Sequence, residues 1–126
     1  MDGSQAWRAR IERALDENRF ALFAQNALGL PGRMPAHSEV TVRMIPEHGE
    51  PIPAAQFLPM AARHGLIPQL DCRVVDKLLD CMSRGMVALP VIALNISART
   101  IADAEAARRL LALLDARKNL AGRLIF

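Results

Sequence analysis

The chain has 126 residues, the length of one ordinary domain, and its 16 basic and 13 acidic residues give a net charge of +3 at pH 7. The arginines are scattered, and four Phe, one Trp and no Tyr supply few stacking platforms, so the composition does not fit a nucleic-acid polymer as partner. The longest apolar run, Met86–Leu94, contains Pro90 and is far shorter than the roughly 20 residues that cross a bilayer. We therefore expect no membrane contact from this segment, although a longer parent protein could be membrane-anchored.

The chain opens with a predicted helix over Ser4–Asn18, where Trp7 and Ile11 begin an apolar stripe at helical spacing. We expect Trp7 to anchor the core rather than to stack on a ligand. A first strand, Phe20–Leu28, ends in a connection rich in glycine and proline, and a second strand, Ser38–Met44, follows it. No room remains between them for a crossover helix, so we expect an antiparallel pair.

The two faces of the second strand differ in character. The polar face carries Glu39, Thr41 and Arg43, and the apolar face carries Val40, Val42 and Met44. Charged residues are mostly exposed, so this pattern is typical of a half-buried strand. A carboxylate and a guanidinium on one side also suit a ligand site, and the residues alone leave both interpretations open. In the first strand, Gln25 interrupts an apolar run, so its amide is either satisfied by backbone or aimed at a ligand.

The remaining segments alternate between helix and strand. In chain order, we predict a loop at Pro46–Pro53, helices at Pro53–Gly65 and Pro68–Met82, a strand at Val91–Ser97, a helix at Thr100–Asn119 and a strand from Leu124 to Phe126. Gly65 and Gly85 are expected to end the first two of these helices, and Thr100 to cap the last. The apolar face of that last helix is expected to consist of Ile101, Leu110, Leu111 and Leu114.

This alternation implies a mostly parallel sheet with helical crossovers. The strands become polar near their ends, which is the pattern of a (β/α) barrel whose chemistry lies at the carboxyl ends of its strands. A complete eight-stranded barrel needs about 250 residues. The sequence therefore predicts an α/β fold, a partial TIM-type barrel of about four strands with an antiparallel first strand pair, and a chain that is a fragment of a longer one.

The two cysteines, Cys72 and Cys81, fall nine residues apart in one predicted helix. That spacing separates them by roughly 900° of rotation and about 13 Å of rise, so they point to opposite sides. They are too far apart to form a disulfide, whose Cα atoms lie within about 7 Å of each other. Because the sequence also shows no signal peptide, we expect a reducing, cytoplasmic compartment.

Four groups of residues occur in a recognisable order and spacing. They are Trp7…Ile11…Ala14-Leu15…Arg19-Phe20-Ala21-Leu22…Gln25, Glu39-Val40-Thr41-Val42-Arg43, Pro53…Phe57-Leu58-Pro59-Met60-Ala61…Gly65-Leu66-Ile67…Leu70-Asp71, and Leu94-Asn95-Ile96-Ser97. Together they resemble the first half of an EAL domain, a family of cyclic di-GMP phosphodiesterases and non-catalytic receptor relatives that are often joined to GGDEF domains. The resemblance covers essentially all of the chain, which we interpret as the N-terminal half of one EAL-like domain over residues 1–126.

The resemblance also implies roles for four residues. Glu39 matches the glutamate of the family motif, a ligand for Mg²⁺ or Mn²⁺, and Asn95 matches an asparagine that supplies a second ligand oxygen. Gln25 and Arg43 match positions that contact the cyclic dinucleotide, the arginine at a phosphate. The residue types suit these roles, because hard divalent cations take oxygen ligands and an arginine fork suits a phosphate. The reaction implied is hydrolysis of a phosphodiester by a metal-activated water.

Three positions depart from the family pattern. Thr41 stands where the Glu-Ala-Leu signature has leucine, Met44 where an aromatic residue is common, and Ala62 where a glutamate is usual. The resemblance implies that the family's other metal-binding acids and its catalytic lysine would lie beyond Phe126. We therefore expect that this chain alone does not catalyse and does not hold the metal pair.

Two hypotheses for the parent protein remain open, and a third concerns the chain itself. The parent is either a cyclic di-GMP phosphodiesterase or a degenerate EAL receptor that binds the dinucleotide and signals to a partner. The chain itself, as half a barrel with unpaired sheet edges, is a candidate protein-interaction module that forms homo-oligomers.

Asp71, near the start of its helix, is interpreted as a structural acid.

Overall fold

The computed structural model describes residues 3–27, 37–85 and 92–125. It consists of a mixed sheet with helices packed against it. The elements in chain order are α1 Gly3–Asp16, β1 Phe20–Ala27, β2 His37–Met44, β3 Ile52–Pro53, α2 Ala54–Arg63, α3 Ile67–Ser83, β4 Ile92–Leu94, α4 Ala98–Ala102, α5 Ala104–Ala116, α6 Lys118–Ala121 and β5 Leu124–Ile125. The predicted connection at Gly29–Pro35 and the residues Val91 and Phe126 lie outside the described part.

The sheet runs in the order β1-β2-β4-β5, and β3 pairs with β2 off this path. Strands β1 and β2 are antiparallel, with Phe20 opposite Met44 at one end and Ala27 opposite His37 at the other. Strand β4 lies parallel to both β2 and β5. The antiparallel first pair and the parallel strands that follow helices agree with the prediction.

The helices pack on one face of this sheet. The buried residues of that face include Met44, Ile92 and Leu94, and α3 contributes eight buried residues between Ile67 and Met82. Trp7 is only partly buried and packs against the edge of the core, with the guanidinium carbon of Arg10 4.6 Å from the centroid of its ring. The opposite face of β1 and β2 is exposed, which leaves it available for a ligand or for further protein.

Helices α2 and α3 end as predicted. Each is followed by a glycine in the left-handed region, with φ of +69° at Gly65 and +71° at Gly85, a conformation in which other residues are strained. Cys72 is buried, Cys81 is half-buried, and both are free thiols as expected. No helix among the described residues is long and apolar enough to cross a membrane.

The segment predicted as a loop before α2 ends in a short strand. Ile52 and Pro53 form β3, which pairs antiparallel with Met44 and Arg43 of β2. The prediction missed it because a proline usually interrupts a strand, whereas on a two-residue edge its missing N–H costs little. The same proline then precedes α2 as its N-cap residue.

The helix predicted at Thr100–Asn119 is wrong in its start and in its continuity. Ser97 caps α4, since its side-chain oxygen accepts a hydrogen bond from the amide of Arg99, and Thr100 is buried inside that helix. Asp103 has extended backbone angles, interrupts the helix, and caps α5 by accepting a hydrogen bond from the amide of Ala106. A third short helix, α6, follows α5.

The apolar face predicted for this region is also only partly buried. Leu110 and Leu114 pack against the core. Ile101 and Leu111 are instead 66% and 67% exposed. The break at Asp103 separates Ile101 from the apolar stripe of α5. Within α5, the stripe that is covered contains Leu110 and Leu114 but not Leu111.

Candidate functional site

The polar face of β2 is exposed, as its alternation predicts. Glu39, Thr41 and Arg43 are all exposed, whereas Val40 and Val42 are half-buried against the core. Because side chains of a strand alternate between the two faces, the three polar residues share the side of the sheet that faces away from the helices. We call Glu39, Thr41 and Arg43 the β2 polar face.

A cross-strand pair adjoins this face. The guanidinium carbon of Arg43 lies 4.3 Å from the centroid of the Phe23 ring in β1. Phe23 lies directly opposite Thr41 in the β1–β2 register, and the Thr41 hydroxyl donates a hydrogen bond of 3.4 Å to the Phe23 carbonyl. An aromatic ring that the sequence analysis did not single out is therefore part of the candidate site.

Gln25 follows Phe23 by two residues and lies opposite Glu39 in the register. Its side chain is outside the described part of the structure. The backbone thus brings the positions of two predicted site residues, Gln25 and Glu39, next to each other on paired strands.

Asn95 comes directly after β4, which runs alongside β2. Ala93 is the register partner of Glu39, and Leu94 is the partner of Val40. The Asn95 side chain is exposed and lines a cavity of about 460 Å³ with residues of α2 and with Asp71. The structure therefore places Asn95 directly after the strand that runs parallel to β2, which carries Glu39.

Asp71 organises the segment that carries Asn95. Its Oδ2 accepts hydrogen bonds from the backbone amide of Ser97 at 3.0 Å and from the hydroxyl of Thr100 at 2.5 Å. Burial raises the pKa of Asp71 above its ordinary value of 3.8, against the opposing effect of the hydrogen bonds from Thr100 and Ser97. The sequence predicted that Asp71 is a structural acid, but it did not predict which groups donate hydrogen bonds to the carboxylate. The polar spacing Ser97-x-x-Thr100 after a buried strand is the signal that could have suggested one.

The same segment is held from α2. The guanidinium of Arg99 donates a hydrogen bond of 2.9 Å to the carbonyl of Ala62. Ala62 is one of the positions that depart from the family pattern, and its contact here is made by its backbone rather than by its side chain. The chain after β4 is thus fixed by α2 and α3 together.

The donor atoms of Glu39 and Asn95 suit part of a metal site. A carboxylate and an amide oxygen are ligands that Mg²⁺ and Mn²⁺ accept. The described residues contain no group of three or more His, Cys, Asp or Glu that could hold a metal ion. Glu39 and Asn95 each carry an oxygen of the type that a divalent cation accepts.

Comparisons with known proteins identify the family and the fold of the chain. The family model of the EAL domain matches residues 8–126. The cyclic di-GMP phosphodiesterase PdeF of Escherichia coli K12 is 32% identical over 97 residues, which cover 75% of this chain and 13% of PdeF. The fold matches a Vibrio cholerae LapD S helix-GGDEF-EAL structure bound to c-di-GMP with a TM-score of 0.83, at 22% identity over 98% of this chain and 30% of that one.

A second solved structure, titled PaMucR phosphodiesterase in complex with c-di-GMP, has a TM-score of 0.75 and 29% identity over 94% of this chain and 49% of that one. The chain therefore spans about half of this solved structure and about an eighth of PdeF. The match over residues 8–126 extends across nearly the whole sequence, from α1 to the last strand. The chain belongs to the EAL domain family.

Proposed function

We propose that this chain forms part of the cyclic di-GMP site of an EAL domain, and that the dinucleotide lies against the β2 polar face. The observation that carries the proposal is that Glu39 and Arg43 share one exposed face beside the strand that leads to Asn95. Membership of the EAL family supports it, as does the 32% identity to the cyclic di-GMP phosphodiesterase PdeF. Gln25, opposite Glu39, is proposed as a further contact to the dinucleotide.

Arg43 is proposed to bind a phosphate of the dinucleotide. Its guanidinium is exposed and carries N–H donors in a planar fork, which can donate two hydrogen bonds to one phosphate. Lysine would offer only a point charge. The net charge of +3 favours a doubly anionic ligand in a general way, but the specific attraction is assigned to Arg43.

Glu39 and Asn95 are proposed as two oxygen ligands of Mg²⁺ or Mn²⁺. When bound, such an ion would polarise a phosphate oxygen and lower the pKa of a water molecule. Two protein ligands hold an ion weakly, so we expect millimolar affinity for the metal from this chain alone on the scale of weak oxygen sites. Hydrolysis is assigned to the parent domain and not to these residues by themselves.

The sheet is proposed to be part of a TIM-type barrel. The parallel pairing of β4 with β2 and β5, the helices on one face and the span of about half of the PaMucR chain all support this. In such a barrel the β2 polar face would line the lumen, near the carboxyl ends of the strands. Free Cys72 and Cys81 support a reducing, cytoplasmic location.

A non-catalytic receptor is the second candidate function. The departure at Thr41 favours it, because a hydroxyl that bonds the neighbouring strand replaces the leucine of the family signature. The exposed Ile101 and Leu111, together with the sheet edges, further support a role in association, including pairing of two copies. Both candidate functions include binding of the dinucleotide, and they differ in whether the parent domain hydrolyses it.

Displacement of a fluorescent cyclic di-GMP analogue tests the proposal. Cyclic di-GMP is expected to compete, and GMP is expected to compete at least tenfold more weakly, because it has one phosphomonoester and one guanine where cyclic di-GMP has two phosphodiesters and two guanines. A parallel NMR titration with Mn²⁺ is expected to broaden the amide signals of Glu39 and Asn95 before those of Glu105, an exposed acid on α5. Equal displacement by GMP, or broadening at Glu105 first, would contradict the proposed site.

A further inference from the structure

Arg43 would be a poor phosphate ligand if its long side chain moved freely, because ordering the side chain on binding costs rotamer entropy. The structure provides a partner that reduces this freedom. The Phe23 ring lies beneath the guanidinium, with the centroid 4.3 Å from Cζ. This distance is well inside the limit of about 6 Å for a cation–π contact.

The register of β1 and β2 places Phe23 next to Arg43. Residue Ala21 lies directly opposite Arg43, and Phe23 lies opposite Thr41, so Phe23 is the diagonal neighbour of Arg43. Diagonal pairs are within reach only of long and aromatic side chains. The hydrogen bond from Thr41 to the Phe23 carbonyl ties the two strands together at the same place.

The ring is not explained by the core. Phe23 is 39% exposed and belongs to the face of the sheet opposite the helices. A contact with the π-face of a ring leaves the N–H donors of a guanidinium available to acceptors. The ring can therefore restrain Arg43 without competing with a phosphate for its hydrogen bonds.

We infer that Phe23 is a positioning residue, which holds the Arg43 guanidinium ready for a phosphate of the bound dinucleotide. This inference rests on the proposed function, and it adds a residue of β1 that acts through Arg43 rather than on the ligand. Alignment of Arg43 before binding reduces the entropy lost on binding. An exposed cation–π contact contributes about 0.5–1 kcal/mol, so losing it should weaken binding roughly two- to fivefold.

The test uses the whole chain and compares Phe23→Leu with Phe23→Tyr by NMR titration with cyclic di-GMP. In the wild type, the Arg43 Hε signal is expected to lie upfield, because the ring shields protons above its face. Phe23→Leu is expected to remove that shift and to raise the Kd two- to fivefold, while Phe23→Tyr keeps both near the wild-type values. An unchanged Kd in Phe23→Leu would overturn the inference.

A double-mutant cycle separates positioning from direct contact. In the Arg43→Ala background, Phe23→Leu is expected to have no further effect on the Kd. If it still weakens binding there, the ring contacts the ligand itself and the positioning role is overturned. If the wild type does not bind cyclic di-GMP, the proposed function fails and this inference fails with it. If the wild type binds and Phe23→Leu has the same Kd, only this inference fails.

Discussion

The carboxylate of Asp71 on α3 accepts a hydrogen bond from the hydroxyl of Thr100 on α4, with the two oxygens 2.5 Å apart. Thr100 is fully buried, and the same Asp71 oxygen also accepts the amide hydrogen of Ser97. The chain that runs from the candidate ligand Asn95 into α4 is therefore attached to α3 at two points, Ser97 and Thr100. Stability and the geometry of the site depend on the same carboxylate.

Removal of the Thr100 hydroxyl should be costly. Thr100→Val keeps the shape of the side chain but deprives a partly buried carboxylate of a donor, and hydrogen bonds to charged groups contribute about 1.5–3 kcal/mol. We expect the free energy of unfolding at pH 7 to fall by this amount in urea denaturation. Thr41→Val is the matched control. Its hydroxyl is exposed and donates over 3.4 Å, so a change within about 0.5 kcal/mol is expected.

The free energy of unfolding should depend on pH through the titration of Asp71. Burial raises its pKa in the folded state above 3.8, so the folded chain binds the proton more tightly than the unfolded chain does. The stability that Asp71 contributes is then fully present below about pH 3.8 and is lost as the pH rises through the folded pKa.

Urea denaturation of the wild type and of Asp71→Asn between pH 3 and pH 7 measures this effect. The free energy of unfolding of the wild type relative to Asp71→Asn is expected to decrease with rising pH and then to level off. A relative stability that increases over this range would show that the Asp71 pKa is lowered by folding, which is the opposite of the prediction.

The exposed apolar residues of α4 and α5 should promote association. Leu111→Glu places a charge at a residue that is 67% exposed, so we expect the free energy of unfolding to change by less than about 0.5 kcal/mol. If copies of the chain associate through this surface, the variant should have a lower mean mass in light scattering than the wild type. Ala112→Glu adds the same charge at the neighbouring exposed position and should leave the mass unchanged.

Substitution of Gly65 tests whether the turn after α2 requires a left-handed backbone conformation. Its φ is +69°, and a Cβ atom added there would meet nothing within 4 Å. Gly65→Ala should therefore destabilise the chain by about 1–2 kcal/mol through backbone strain alone. Gly122, with φ of −63° and equally open surroundings, is the control. Gly122→Ala should be neutral or slightly stabilising, because it restricts the unfolded chain. Thermal unfolding of both variants and of the wild type measures the difference.

Local patterns account for what the sequence could predict. The alternation in β2 predicted which side of the strand Glu39 and Arg43 occupy, and Gly65 and Gly85 marked the ends of α2 and α3. The break at Asp103 escaped prediction because alanines on both sides of it and the leucines of α5 favour helix. Its capping role depends on backbone angles that the composition does not reveal.

Long-range contacts escaped prediction for a different reason. The contact of Asp71 with Thr100 joins residues 29 positions apart, and that of Phe23 with Arg43 depends on the register of two strands. Register is set by the connection between strands and by packing against the core, and neither can be read from a single strand. The resemblance to EAL domains pointed to Gln25, Glu39, Arg43 and Asn95, but not to the residues that support them.

Calorimetric titration of this chain with cyclic di-GMP, with Mg²⁺ and then with Ca²⁺ present, tests the central claim most directly. The wild type should bind, and Arg43→Ala should weaken binding at least tenfold, because hydrogen bonds to charged groups contribute about 1.5–3 kcal/mol. Arg10→Ala removes the same charge from α1, where the guanidinium lies over Trp7, and should bind like the wild type. Absence of binding by the wild type, or equal weakening by Arg43→Ala and Arg10→Ala, would contradict a dinucleotide site on the β2 polar face.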